Sequence, residues 1–362
     1  MRKAIISIWF IICCMCMGCK QQVSEHSGYP VSYTINYEAD EKFDWYSHMV
    51  IEEVIPFEFS DSSMISLVRD CQVTDNKILI QDFKQHVLFV FDRHGKLLYS
   101  ICNKGNGPGE YQRINNFCLS YTGKEIIIND GYKLLYYDLV SGRYLYSIPL
   151  KLKVDNPVRN VAFSYCLNPS DGIYYLWTDM GDYTLYKYDG KEMVGLIPRT
   201  NYQLCIKKFV VNYKGDYLFC PDYGDFGIST IDGDKRFYID FDKNALPEEK
   251  IPDNIAEFQK IDKEPYFKAI VNVQETESGI YVSAISPKNN YYDIYIDKAT
   301  GQIWKGGMDT KSRLNIVQVE GNSFYAFFYP DYVDDDSLLK QELTSFISLG
   351  ENPLLIKFKM KE

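Results

Sequence analysis

VRDCQVTDNKILIQD, residues 68–82, reads as an apolar strand, a polar turn and a second apolar strand ending in aspartate, and the plan returns five more times. The later copies are NNFCLSYTGKEIIIND (115–130), AFSYCLNPSDGIYYLWTD (162–179), KFVVNYKGDYLFCPD (208–222), IVNVQETESGIYVSA (270–284) and NIVQVEGNSFYAFFYPD (315–331). Aligned on the small apolar residue ahead of each turn, they place Cys71, Cys118, Cys166, Val210, Val273 and Val317 in one column, at intervals of 47, 48, 44, 63 and 44. A period of this length marks an array of supersecondary units and outranks any single motif. A second column supports the first. Asp/Gly clusters at DRHGK (92–96), DLVSGR (138–143), DGKE (189–192), DGDK (232–235) and DKATGQ (297–302) follow third strands such as HVLFVF and YDIYI, and clusters of this kind make hairpin turns. Each unit is then a four-stranded antiparallel meander of about 45 residues, the blade of a propeller. The sequence predicts an all-β, six-bladed β-propeller.

The irregularities have local causes. The long interval holds DKNALPEEKIPDNIAEFQKIDKEPYF (242–267), in which NIAEFQKI follows a proline-bearing turn and suits a short helix. A second insertion, VDDDSLLKQELTSFISLG (333–350), also reads as helical, with Asp334 to Asp336 favourable at its N-terminal end. After the sixth first strand only one further strand pair remains, ending in NPLLIKFKM, so the last blade lacks an outer strand. MVIEEVIPFEF (49–59), unused before the first blade, can supply it. An N-terminal strand pairing in the C-terminal blade would close the ring and remove an exposed edge.

Composition agrees with the repeat. Aromatics are 15% of the chain, including 31 tyrosines and 21 phenylalanines, side chains that favour pleated, half-buried surfaces. The net charge is −10, with no basic stripe to offset it, which argues against nucleic acid as a partner. Met1–Gly18 carries Arg2 and Lys3 and then AIISIWFIICCMCM, the pattern of an export signal and too short to span a bilayer comfortably. Gly18-Cys19 resembles a bacterial lipobox, although Cys16 stands where leucine is usual, and the resemblance implies lipidation of Cys19. The expected organisation is a signal peptide over 1–18, a lipid anchor and polar tether over 19–48, and a propeller domain over 49–362. Of ten cysteines, four belong to the signal region. Cys71, Cys118 and Cys166 share their column with three valines and read as small apolar bulk rather than disulfide partners.

GNGPGEY (105–111) falls between the outer strand of the first blade (KLLYSIC) and the inner strand of the second (INNFCLS), so it is an interblade crossing. A dinucleotide loop needs a third glycine where Glu110 stands, and a following helix; neither is present, and Pro108 lacks an amide donor. Gly107-Pro108-Gly109-Glu110 suits a tight turn instead, proline fixing its second position and glycine supplying positive φ at its third. VIPFEFSDSSMI (54–65), followed by FDRHGKLLYSICNKGNGPGEY (91–111), resembles the six-bladed β-propeller lipoproteins abundant in Bacteroidetes, with their extended "PLE-T-D-S-I" opening and "G-x-GPGEY/F" crossing. Phe57, Phe59 and Ser60 depart from the usual opening. The resemblance implies the propeller fold and an envelope location for residue 49 onward, marks Gly105, Gly107, Pro108, Gly109, Glu110 and Tyr111 as the structural motif, and lends little chemistry. Surface export in this lineage goes with acidic residues after the lipidated cysteine. Lys20-Gln21-Gln22 lacks them, which favours a periplasm-facing anchor in the outer membrane.

In a propeller the crossings and the turns between second and third strands share one face, around the mouth of the central channel, where ligands bind by default. Second strands end at Asp82, Asp130, Asp179, Asp222 and Asp331, with Tyr132, Tyr183 and Tyr223 close by in sequence. This acidic, tyrosine-rich rim is the expected ligand site, for a saccharide, a peptide, an envelope protein or a cation such as calcium. The competing explanation is that aspartate at a turn bonds its own backbone two residues on. Four histidines, two of them in the expected tether, cannot build an imidazole-rich metal centre in the body, and neither a G-x-S-x-G motif nor a sialidase-type Asp box is present. The sequence therefore favours a lipid-anchored binding module with no assigned catalytic residue and no resident cofactor. The alternative is an envelope glycan or peptide hydrolase or lyase using rim carboxylates, since carboxylate separations are invisible in a sequence.

Overall fold

Ile78, Leu79 and Ile80 are consecutive and all fully buried, which a strand with one wet face does not permit. Both faces of that strand must meet protein. The computed structural model, which describes residues 28–151, 161–199, 209–220, 223–252, 255–261, 263–288, 290–308 and 314–361, shows why: six sheets stand around a central axis, each packed between two others.

Blade 1 consists of Val68–Val73, Lys77–Asp82, Val87–Asp92 and Leu97–Ile101; blade 2 of Asn116–Leu119, Glu125–Asn129, Lys133–Asp138 and Tyr144–Pro149; blade 3 of Tyr165–Ser170, Ile173–Trp177, Tyr183–Tyr188 and Met193–Pro198. Blade 4 consists of Phe209–Val211, Tyr217–Phe219, Gly227–Thr230 and Lys235–Asp240, and blade 5 of Ile270–Glu275, Gly279–Ile285, Tyr291–Asp297 and Ile303–Met308. Blade 6 takes Asn315–Glu320, Ser323–Phe328 and Leu354–Met360 from the end of the chain and Met49–Ile55 from its beginning. Met49–Ile55 pairs antiparallel with Leu354–Met360, from Met49 opposite Met360 to Ile55 opposite Leu355. The ring is closed as the leftover strand predicted.

The core is divided among the six blade interfaces. Ile78 and Ile80 face blade 6, packing with Val317, Tyr325 and Phe327; Leu79, one residue out of phase, faces blade 2 with Phe117, Ile126 and Ile128. The two-residue period of the strand thus feeds alternate side chains into two different wedges. The predicted column of small apolar residues is buried throughout, at Cys71, Cys118, Cys166, Val210, Val273 and Val317, and the described body cysteines Cys71, Cys102, Cys118, Cys166 and Cys220 are free thiols. Trp177 fills the wedge between blades 3 and 4.

Inner strands pose a second problem, because their channel-side backbone has no sheet partner and buried backbone groups must be satisfied. Side-chain amides solve it. Gln318 of blade 6 donates to the Val73 carbonyl of blade 1 (2.8 Å) and accepts from the Val73 amide (2.7 Å). Asn116 makes the same two-point contact from blade 2 to Cys166 of blade 3, both bonds 2.9 Å. Asn272 of blade 5 donates to the Ile316 carbonyl of blade 6 (2.7 Å). The sequence reading missed this belt; its signal was an amide within two residues of the small apolar anchor.

The described part of the expected tether, from Gly28 to His48, is not a tether. Ser32–Thr34 adds in parallel to the outer strand of blade 4, and Lys42–Phe43 to that of blade 5. Ile35, Phe43 and Trp45 are buried, and the Trp45 indole donates to Asp293 (3.2 Å), which also accepts from the Tyr281 hydroxyl (3.0 Å). Gly306 lets the strap approach, since a Cβ there would lie 2.4 Å from the Lys42 backbone. The segment looks polar on average because its three buried anchors are widely spaced. The signal region, Cys19 and residues up to 27 lie outside the described residues. Both insertions are helical where expected, at Ile255–Ile261 and at Leu338–Glu342 with Thr344–Ile347; the Ser337 hydroxyl caps the second insertion by accepting from the Lys340 amide (3.2 Å).

Candidate functional site

In blades 1 and 2 the turn after the second strand uses the carboxylate of the aspartate that precedes it. Asp82 is fully buried; its carboxylate accepts from the amides of Ser66 (2.6 Å) and Leu67 (3.2 Å) on the entry to blade 1 and from the Gln85 amide (2.8 Å) in the turn. Asp130 accepts from the amides of Tyr132 (3.0 Å) and Lys133 (2.9 Å), with the Lys133 ammonium 3.8 Å away. These two acids are occupied in making turns. Asp179 is half-buried, its carbonyl accepting from Arg199 (3.1 Å), and Asp331 is exposed in the short turn Pro330–Tyr332. Asp222 lies outside the described residues. Tyr132 and Tyr183 are exposed, but Tyr223 is only 4% exposed and packs with Leu246 and Ile261 beneath the first insertion. Of the expected rim residues that are described, Asp82, Asp130 and Tyr223 are buried, and Tyr132, Tyr183 and Asp331 are exposed.

A cavity of about 400 Å³ opens on the same face, between blades 5, 6 and 1. Its wall is formed by residues at the ends of inner and second strands, including Arg69, Asp70, Asn272, Ser283, Tyr291 and Tyr332. Tyr291 and Tyr332 are 45% and 51% exposed. Tyr332 stacks on Tyr329, centroids 5.5 Å apart, and the hydroxyl of the half-buried Tyr329 accepts from the Val68 amide (3.2 Å), fixing the pair against blade 1. Burial pushes the Tyr329 phenol above its ordinary value, so it stays neutral at any physiological pH. The opposite end of the channel holds a second cavity of about 350 Å³, and Asp70 and Val317 line both, marking the waist between them. None of the rim residues named from the sequence lines this cavity, and Arg69, Asp70 and Asn272 escaped notice because they stand in the first strand of each repeat beside core positions.

The GNGPGEY crossing is the tight turn its composition predicts. The Glu110 amide donates to the Gly107 carbonyl (3.1 Å), Gly109 has φ +75°, and the Glu110 carboxylate accepts from the Gly107 amide (2.8 Å). Tyr111 is fully buried, its hydroxyl 2.9 Å from the His86 carbonyl and 2.8 Å from the Ile101 carbonyl. The motif thereby bolts the crossing to the neighbouring turn of blade 1.

Among the described residues no three His, Cys, Asp or Glu side chains come together as a metal site would require, and no helix among them is long and apolar enough to cross a membrane. The profile of the family described as a domain of unknown function, DUF4934, matches residues 52–358. The fold is similar to that of a Bacteroides fragilis protein named as exported, at TM-score 0.73 and 17% identity, covering 91% of this chain and 99% of that one. It is also similar to a member of the DUF4221 family from Bacteroides vulgatus, at TM-score 0.57 and 12% identity, covering 87% and 98% respectively. No curated protein matches the sequence.

Proposed function

This chain belongs to the DUF4934 family, and we propose that it is an exported binding module whose propeller takes a small ligand at the tyrosine-lined channel mouth on the crossing face. The observation that carries this reading is the 400 Å³ cavity with Tyr291 and Tyr332 held open beside Arg69, Asp70 and Asn272. Its volume falls within the range of small-molecule pockets, and its mix of aromatic faces and a few convergent polar groups is what such pockets use. Export is supported by the basic-then-apolar N-terminus and by the name of the Bacteroides fragilis neighbour. Lipidation at Cys19, with the domain on the periplasmic side of the outer membrane, completes the reading. A saccharide stacked on tyrosine is the favoured ligand, with the exposed Asp331 beside Tyr332 as an outer contact.

The test uses the chain from Gly28 onward, titrated with mono- and oligosaccharides, with and without calcium, by tyrosine fluorescence and calorimetry. Saturable binding that is lost in a Tyr291→Ala, Tyr332→Ala double variant of unchanged thermal stability supports the reading. Binding indifferent to both tyrosines contradicts it, and turnover of a bound glycan would replace it with the enzyme alternative.

A further inference from the structure

Strand alternation sends neighbouring side chains into different wedges, and it brings two cysteines into one of them. On the inner strand of blade 2, Phe117 packs against blade 1 while Cys118 turns toward blade 3. On the inner strand of blade 3, Tyr165 and Leu167 pack against blade 4 while Cys166 turns back toward blade 2. Cys118 and Cys166 therefore enter the same wedge from opposite sides, among Ile127, Tyr136, Phe163 and Tyr174. The anchor column meets in the same way in two other wedges, as Cys71 with Val317 and Val210 with Val273. Of these three wedges, the one between blades 2 and 3 alone has a thiol on both sides.

The two inner strands are fixed to each other at this point. The Asn116 side chain, two residues before Cys118 and on the same side of its strand, donates to the Cys166 carbonyl and accepts from the Cys166 amide, both at 2.9 Å. The Tyr136 and Tyr174 hydroxyls hydrogen-bond to each other across the same wedge. The two thiols are themselves in hydrogen-bond contact, and burial, then that contact, push the Cys166 thiol above its ordinary value, so it rests protonated. Both cysteines also belong to the wall of the 350 Å³ cavity at the far end of the channel, which gives a small molecule a way to them. Small bulk accounts for either cysteine alone. It does not account for two sulfurs placed face to face beside a cavity.

We propose that Cys118 and Cys166 form a thiol–disulfide switch, oxidised through the far cavity by a low-molecular-weight disulfide and reduced again by a small thiol, which locks blades 2 and 3 together beside the channel. One cysteine loses its proton and attacks a sulfur of the small disulfide, releasing one small thiol and leaving a mixed disulfide in the cavity. The other cysteine loses its proton and attacks the protein sulfur of that bond, releasing the second small thiol. Two S–H bonds of the protein give way to one S–S bond, and the two electrons reduce the small disulfide to two thiols. Oxidising conditions of this kind prevail outside the cytoplasm, where the export reading puts the chain. The chemistry of the pair depends neither on that reading nor on which mouth takes a ligand.

The test uses the full chain, purified with reductant and then exposed to oxidised glutathione, with free thiols alkylated before peptide mapping under non-reducing conditions. The exposed Cys102 shows when the oxidant has acted. The expected result is a disulfide between positions 118 and 166 within one chain, with a melting temperature raised by several degrees and returned by dithiothreitol, since the bond closes a long loop. Cys118→Val and Cys166→Val each introduce the residue that fills this column in blades 4, 5 and 6, and each should fold and lose both the bond and the shift. Cys71→Val, at another wall position of the same cavity, should lose neither. The proposal is overturned if both thiols stay free once Cys102 is modified, if they join other cysteines instead, or if Cys118→Val keeps the whole shift in melting temperature.

Discussion

Glu275 ends the inner strand of blade 5 and is nearly buried. Lys298 reaches one carboxylate oxygen at 2.9 Å, Arg236 of blade 4 the other at 3.3 Å, and Asn212 of blade 4 donates to it at 3.1 Å. Burial alone would raise its pKa, yet Lys298, Asn212 and Arg236 together hold it below the ordinary carboxylate value of 4.5. A depressed folded value means that its contribution is complete above the unfolded value and lost as pH falls through the folded one. Glu275→Gln leaves two cations without their partner at the interface of blades 4 and 5, and should cost roughly 2–4 kcal/mol at neutral pH, with a much smaller difference from wild type near pH 3. Urea midpoints at the two pH values check this; an equal loss at both would show that the carboxylate charge is not what matters. At this scale the sequence was least informative. The turn carboxylates of Asp82 and Asp130 and a ligand-binding acid look identical until their amide partners are seen, and Tyr223 looked like a rim residue because nothing local announces that the first insertion covers it.

The strap shows the same limit one scale up. Regular elements declared themselves by repetition: six copies fixed the strands, the long interval located the helix at Ile255–Ile261, and an unpaired strand at each end of the chain implied their partnership. The strap has no repeat, and its anchors Ile35, Phe43 and Trp45 follow no period. Its effect on stability should be large, since burying each such side chain contributes about 1.5–3 kcal/mol and the strap also covers the outer strands of blades 4 and 5. A chain that starts at Met49 should melt well below one that starts at Gly28 and should aggregate through those two uncovered edges. Trp45→Ala alone should cost about 3–5 kcal/mol. Thermal unfolding with light scattering checks both, and coincident melting curves would contradict the packing described for the strap.

For the whole molecule, the account depends on a ring whose last blade is assembled from both ends of the chain. Six interfacial wedges replace a single core, so each blade is stabilised by its two neighbours and an open ring would expose the apolar sides of two blades at once. The channel, its two mouths and the crossing face exist only if the circle is complete. The position of the crossing face follows from that closure; the lining of the cavity there does not, because it depends on a handful of side chains such as Arg69 and Tyr332 that any blade could carry or lack. The most direct measurement pairs Val50→Cys with Lys359→Cys, exposed residues directly opposite each other across the closing strands, followed by peptide mapping under non-reducing conditions. The account predicts an intramolecular disulfide between positions 50 and 359 in the folded monomer and a raised melting temperature that reductant reverses. Failure of that bond to form, or its appearance only between two chains, would contradict closure of the ring by its own N-terminal strand.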